Sequence, residues 1–269
     1  MQLRPIASSI LIVSSLLVAP GLACCASAQT QGSTMPDAPQ PQSQSANQAD
    51  PAQVTIANTP RHILSDQLAI WTSPAHLNRT NAVGPTLLVL STALVMTTDR
   101  QVMVNHVPVD ASLNSHAVTA SNGLVGGFVA APVIMYGLGH IHHDNHATET
   151  GILAGEAMVN SLAVDEVMKL VSMRERPDVD NSRGKFFQTS AAFDSSFPST
   201  HSMIAWSSAA VIASEYNGPL TQIAAYGLAT GVSAARVLGR EHFPSDVLVG
   251  SAVGWMIGRY VVHRHRSEE

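Results

Sequence analysis

The chain is poor in charge: Asp, Glu, Lys and Arg make up 12% of its 269 residues, and the formal net charge is −5 with the histidines neutral. No basic field exists to draw in a polyanion, which excludes nucleic acid as a partner. Cysteine is scarcer still. Cys24 and Cys25 lie side by side near the N-terminus, so a mature chain without that segment has neither a disulfide nor thiol chemistry. Sustained two-residue alternation of apolar and polar positions is missing, as is any repeat of roughly 20–50 residues, and sheet architectures and solenoids are set aside with them. What is plentiful is Ala, Gly, Ser and small aliphatics, a balance suited either to closely packed helices or to moderately apolar membrane spans. The length holds one domain of ordinary to large size with a substantial core; two would be cramped.

The N-terminus reads as a signal peptide over residues 1–28. Arg4 gives the positive end, Ile10 to Val18 the apolar stretch, and Pro20-Gly21 break it ahead of Ala26-Ser27-Ala28. An uncleaved anchor or a lipid-modified cysteine are the alternatives. Residues 29–53 are Gln, Ser, Pro, Asn and Asp with few large apolar side chains, which predicts a disordered linker. The remainder, 54–269, reads as one helical domain. A short helix is expected over Ile63 to Ile70, then longer ones at about 83–98, 118–139, 149–173, 200–215, 219–236 and 245–263. The expected fold is therefore all-α, a bundle of about six core helices with the active site at helix ends. Residues 99–117 and 178–197 are expected to be long loops.

Three segments group anion-type donors or histidines beside a helix boundary. In the first, six residues separate Lys169 from Arg176-Pro177. Seven positions along a helix return to nearly the same face, so an ammonium and a guanidinium can converge on one anion, although such a pair is also an ordinary solvated face. The second, Pro198-Ser199-Thr200-His201, runs straight into an apolar helix whose first turn presents unmatched N–H groups. A plain cap beside an incidental histidine reads equally from that segment alone. In the third, Arg236 ends a helix, His242 follows in the turn, and Asp246 opens the next helix, where its carboxylate can hold one imidazole nitrogen and leave the other free to attack. A metal pair or a structural contact are the other readings of that spacing.

Order, spacing and flanking residues of the three segments together resemble the type 2 phosphatidic acid phosphatase family, which includes bacterial class A acid phosphatases and is related to vanadium haloperoxidases. The resemblance covers roughly residues 150–262 and is closest over His242 to Gly250. It departs from the family pattern at Thr200, where glycine is usual, and at Ala235, where serine is usual; neither change removes a charged or nucleophilic group. The resemblance implies a phosphatase that hydrolyses phosphomonoesters through a phosphohistidine, with no metal or other cofactor. Lys169, Arg176 and Arg236 would bind phosphate oxygens with help from Ser199 and Thr200; His242, oriented by Asp246, would be the nucleophile and His201 the leaving-group acid.

A second histidine group, His140, His142, His143 and His146 with Asp144, reads as an exposed connection rather than a closed metal site. For the substrate, a phosphorylated small molecule and a lipid phosphate both fit. The expected location is exported and soluble in the periplasm, because Glu156, Asp165 and Glu166 count against a span at 149–173; an integral membrane protein is the alternative. The competing activities are a vanadium-dependent haloperoxidase and a catalytically silent oxyanion-binding or membrane-scaffold protein.

Overall fold

A computed structural model of the chain describes residues 54–78, 81–191 and 194–268. The signal peptide and linker expected over 1–53 lie outside them. The described residues contain no strand and seven α-helices: α1 Thr59–Thr72, α2 Val83–Asn105, α3 Ala111–His142, α4 Asn145–Ser172, α5 Thr200–Glu215, α6 Pro219–Leu238 and α7 Pro244–Glu268. Short 3-10 turns at Asp180–Ser182 and Thr189–Ala191 punctuate the long connection between α4 and α5.

Local chemistry sets the helix ends. The Asp110 carboxylate accepts from the N–H groups of Ser112 and Leu113, both at 2.9 Å, and so starts α3. The Asp144 carboxylate does the same for α4 through Ala147 N at 3.0 Å, just after His143 has closed α3 in the left-handed region at φ 57°. The connection expected over 99–117 shrinks accordingly to 106–110. The helix expected to end at 98 runs on to Asn105, nearly two turns further, and Asp99 is buried inside it with partners.

α5 is the central element. Most of its residues are buried, and Ala205, Ala209, Ala210 and Ala213 let neighbouring helices close in. On one side Met203 and Val211 pack with Leu153, Ala157, Ile257 and Val261 of α4 and α7; on another, Ala205, Trp206 and Ala209 pack with Phe128 of α3 and Val232 of α6. α7 meets α5 along a glycine ridge. A Cβ at Gly250, Gly254 or Gly258 would overlap the carbonyl oxygens of Ser199, Met203 and Ser207 respectively, so only glycine permits this separation.

The outer face is apolar. α2 and α3 are long and apolar enough to cross a membrane, yet only 11% and 17% of their most apolar stretches are buried. Leu87, Leu90 and Leu94 of α2 and Val133, Ile134 and Leu138 of α3 are all more than half exposed. The core helix of a water-soluble protein would hide such residues; here each of the two helices leaves an apolar face open, of the kind that lipid covers. Of the three charges that weighed against a membrane bundle, Glu156 and Asp165 are 1% and 0% exposed and turned into the bundle, while Glu166 is exposed. These features favour the integral-membrane alternative over a soluble periplasmic domain.

Candidate active site

The end of α4, the start of α5, the end of α6 and the start of α7 meet at one end of the bundle, and every site residue predicted from sequence lies there or one turn inside. His242, in the turn between α6 and α7, is 2% exposed, and its Nδ1 lies 2.7 Å from the carbonyl oxygen of Ser196. A carbonyl can only accept, so Nδ1 carries the hydrogen and Nε2 keeps its lone pair. Asp246 faces Nδ1 of His242 as its spacing suggested, but its Oδ2 lies 3.9 Å away, an ion-pair distance without a hydrogen bond. Instead Oδ2 accepts from Ser196 Oγ at 2.5 Å and from Phe243 N at 2.8 Å. Asp246 thus ties down the two segments on either side of the imidazole, and the Ser196 carbonyl orients the ring. The reason is local: Asp246 sits in the first turn of α7, where the nearest unmatched donor is the Phe243 N–H.

Behind Asp246 stands a residue that motif reading passed over. Arg174 lies in the spacer between Lys169 and Arg176, 3% exposed, and its guanidinium reaches Asp246 Oδ1 at 2.5 Å, Asp99 Oδ2 at 2.8 Å and Ser245 Oγ at 2.8 Å. Phe186 and Phe243 sandwich the same guanidinium, with centroids 4.8 and 4.2 Å from Cζ. Asp99 in turn accepts from Ser245 N at 3.0 Å, so α2 contributes the carboxylate that starts α7. The available signal was compositional: a single acid within an apolar 23-residue helix requires a buried partner.

His201 lies in the first turn of α5, with Nε2 2.9 Å from Asn122 Oδ1 of α3. Asn122 is a second residue that sequence reading missed. Burial lowers the His201 pKa to about 4, with the charges of Arg236, Lys169 and Arg176 acting the same way. Burial also lowers His242 well below the ordinary histidine value, followed by the same three cations, against which the Ser196 carbonyl acts weakly. The three cations expected from sequence therefore bear on both imidazoles.

Each cation is held by a local carboxylate. Lys169 pairs with Asp165 at 3.2 Å and donates to Thr200 Oγ1, which donates in turn to Asp165 Oδ2 at 2.7 Å. The hydroxyl at the position where glycine was expected is thus spent on fixing Lys169. Arg176 reaches Asp194 at 2.6 Å and Glu241 Oε2 at 2.9 Å, and Arg236 reaches the same Glu241 oxygen at 3.2 Å. Ser199 differs from expectation. Its N–H donates to the Asp246 carbonyl at 3.2 Å and its hydroxyl accepts from Ser202 at 3.2 Å, so it braces α5 against α7. The N–H groups of Thr200 and His201 stand in the first turn, where helix geometry leaves donors for an anion.

Two cavities flank this cluster. One, of about 510 Å³, runs along α3 and α5 from His201 and Asn122 past Val125, Val129, Val133 and Ile204. The other, of about 490 Å³, is lined by polar groups including Arg176, Asp178, Asn181 and Glu241. His140, His142, His143 and His146 fall at the exposed tip of the α3–α4 turn, at the end of α3 and the start of α4.

Residues 150–268 match the family model of the PAP2 superfamily. Among solved structures, the chain is similar to one described as the first transmembrane PAP2 type phosphatidylglycerolphosphate phosphatase, from Bacillus subtilis. The two share 20% sequence identity with a TM-score of 0.47, over 78% of this chain and 96% of that one. No curated protein matches the chain.

Proposed function

We propose that the chain, whose residues 150–268 match the PAP2 superfamily, is a phosphoric ester hydrolase and, within that class, a membrane-embedded lipid phosphate phosphatase working through a phosphohistidine on His242. The observation that carries this reading is that Lys169, Arg176 and Arg236 bear on a buried imidazole with its lone pair at Nε2 and on a second imidazole able to hold a proton.

The phosphate of the substrate displaces Glu241 from Arg176 and Arg236 and takes its place between the cations, with the Thr200 and His201 N–H groups adding donors. Burial first and the three cations second keep His201 neutral, and the negative charge of the phosphate opposes the cations, so a proton comes onto His201 as substrate binds. His242 Nε2 then forms a bond to phosphorus while the bond from phosphorus to the leaving oxygen breaks, and His201 gives its proton to that oxygen. In the second half, His201 takes a proton from water, the resulting hydroxide attacks phosphorus, and the P–N bond breaks to release inorganic phosphate and neutral His242. The cations supply charge stabilisation throughout, which is most of what phosphoryl transfer requires of a protein.

The substrate class follows from what lies beside His201. A leaving group protonated by His201 points along the apolar cavity between α3 and α5, whose residues Val125, Val129 and Val133 offer it no polar partner. A hydrocarbon chain fits that surroundings, and on the outer side the same helices α2 and α3 cross the bilayer from which such a chain would come. The polar cavity beside Arg176 and Glu241 gives water and phosphate their route. The test is a panel of phosphomonoesters of increasing chain length, assayed on detergent-solubilised protein. kcat/KM should climb with chain length and fall when Val129 is replaced by Phe; equal turnover of short and long esters would contradict the lipid assignment.

A further inference from the structure

At the other end of the bundle, three polar side chains from helices far apart in sequence converge in the interior. We propose that His62 of α1, Glu156 of α4 and His265 of α7 bind a divalent transition-metal ion, zinc by donor type, that fastens α1 to the bundle. The three residues are 4%, 1% and 4% exposed, and one donor atom from each lies within 4.8 Å of the other two. His265 Nε2 is 3.0 Å from Glu156 Oε1, and His62 Nδ1 is 3.6 Å from Glu156 Oε2. Donors on a tetrahedral zinc ion with bonds of about 2.0–2.2 Å stand roughly 3.3–3.5 Å from one another, so the three donor atoms, all within 4.8 Å of one another, need move by only about an ångström to close on one ion. The imidazoles are inclined at 59° rather than stacked, which lets both ring edges turn toward one point.

Charge argues in the same direction. Glu156 and Asp66 bring two carboxylates into the interior; Arg264 bonds Asp66, while Glu156 faces both imidazoles, and one carboxylate with two neutral histidines is a donor set suited to a divalent cation. A polar frame holds the surroundings: Asn160 donates to Asp66 Oδ2 at 2.8 Å, and Gln67 donates to Asn160 Oδ1 at 2.8 Å.

The attachment of α1 gives the site its purpose. The fully buried residues of α1 are His62 and Asp66, whereas Leu64 and Leu68 are 73% and 68% exposed. Apart from Ile70, which packs on the apolar core, this helix meets α4 and α7 through the polar groups His62, Asp66 and Gln67, for which a metal is an effective fastening. The site does not depend on the phosphatase reading. His265 is nineteen residues from Asp246 on α7, about 28 Å at the rise of an α-helix.

The experiment uses the full chain, purified in detergent with any affinity tag removed and dialysed before elemental analysis and cobalt titration. Roughly one zinc per chain is expected, with cobalt giving the visible absorption of a tetrahedral nitrogen-ligated site. H62A, H265A and E156Q should each lose the metal, while H242A and the combined H142A/H143A/H146A variant should keep it. Chelation should open α1 to proteolysis within residues 59–72. Wild-type protein that takes up neither zinc nor cobalt would overturn the proposal, and so would metal lost from the 142/143/146 variant but retained by H62A. If H62A fails to fold, the wild-type cobalt spectrum decides alone: absorption supports the site, and its absence refutes it.

Discussion

His242 is a histidine prepared to act as a neutral nucleophile. Its pKa is pushed down first by burial and then by three neighbouring cations, and its Nδ1–H is committed to Ser196. A lowered pKa means that Nε2 stays unprotonated as the solution is acidified. Between roughly pH 7 and pH 5, kcat/KM should hold or rise, whereas a nucleophile of ordinary pKa near 6.5 would lose activity there. A pH–rate profile that falls on the acid side with an apparent pKa near 6.5 would contradict this. Glu241 carries a second expectation. Its carboxylate bridges Arg176 and Arg236 where phosphate is to bind, so E241Q should strengthen inhibition by inorganic phosphate or vanadate. Removing a partly exposed ion pair of about 1 kcal/mol corresponds to roughly fivefold tighter inhibition. Unchanged or weaker inhibition would place the anion elsewhere.

At the scale of elements, the sequence showed the frame well and its joints poorly. All seven helices were expected, because long apolar stretches bounded by proline, glycine and capping residues mark helices whatever they pack against. Boundaries slipped where a buried charge imitated a surface one. α2 was expected to end at 98, although Asp99 lies within it, pairs with Arg174 and accepts from the start of α7. The same mechanism hid half of the site. Lys169, Arg176, His201, Arg236 and His242 carry a spacing pattern, but Arg174, Ser196 and Asn122 act through contacts between segments 20 to 80 residues apart, which no local pattern records. Asp246 was found by its spacing to His242, which it faces at 3.9 Å, but its hydrogen bonds to Ser196 and Phe243 were not, since spacing alone cannot tell a hydrogen bond to an imidazole from one to the groups beside it. The α5–α7 contact can be tested directly. In G254V the new side chain meets the backbone of Met203, and separating the helices should cost about 1–3 kcal/mol, read as a lowered unfolding temperature, with activity also reduced because His201 and Asp246 ride on the two helices. Wild-type stability in G254V would show that the helices are not so closely packed.

For the whole molecule, the decisive feature is the apolar outer face of α2 and α3. It favours a membrane protein over a soluble particle more than composition could, because composition does not say which side chains point outward. Alkaline carbonate should therefore leave the chain in the membrane pellet, with detergent needed for release; appearance in the carbonate supernatant would restore the soluble reading. The measurement closest to the central claim is a rapid quench with phosphorus-labelled long-chain lipid phosphate, followed by peptide mapping. Label should be found on the peptide containing His242, stable to alkali and lost in acid, absent from H242A and accumulating in H201A, where the second half-reaction lacks its base. Label on another residue, or H242A turning over at more than a few per cent of the wild-type rate, would contradict the phosphohistidine mechanism.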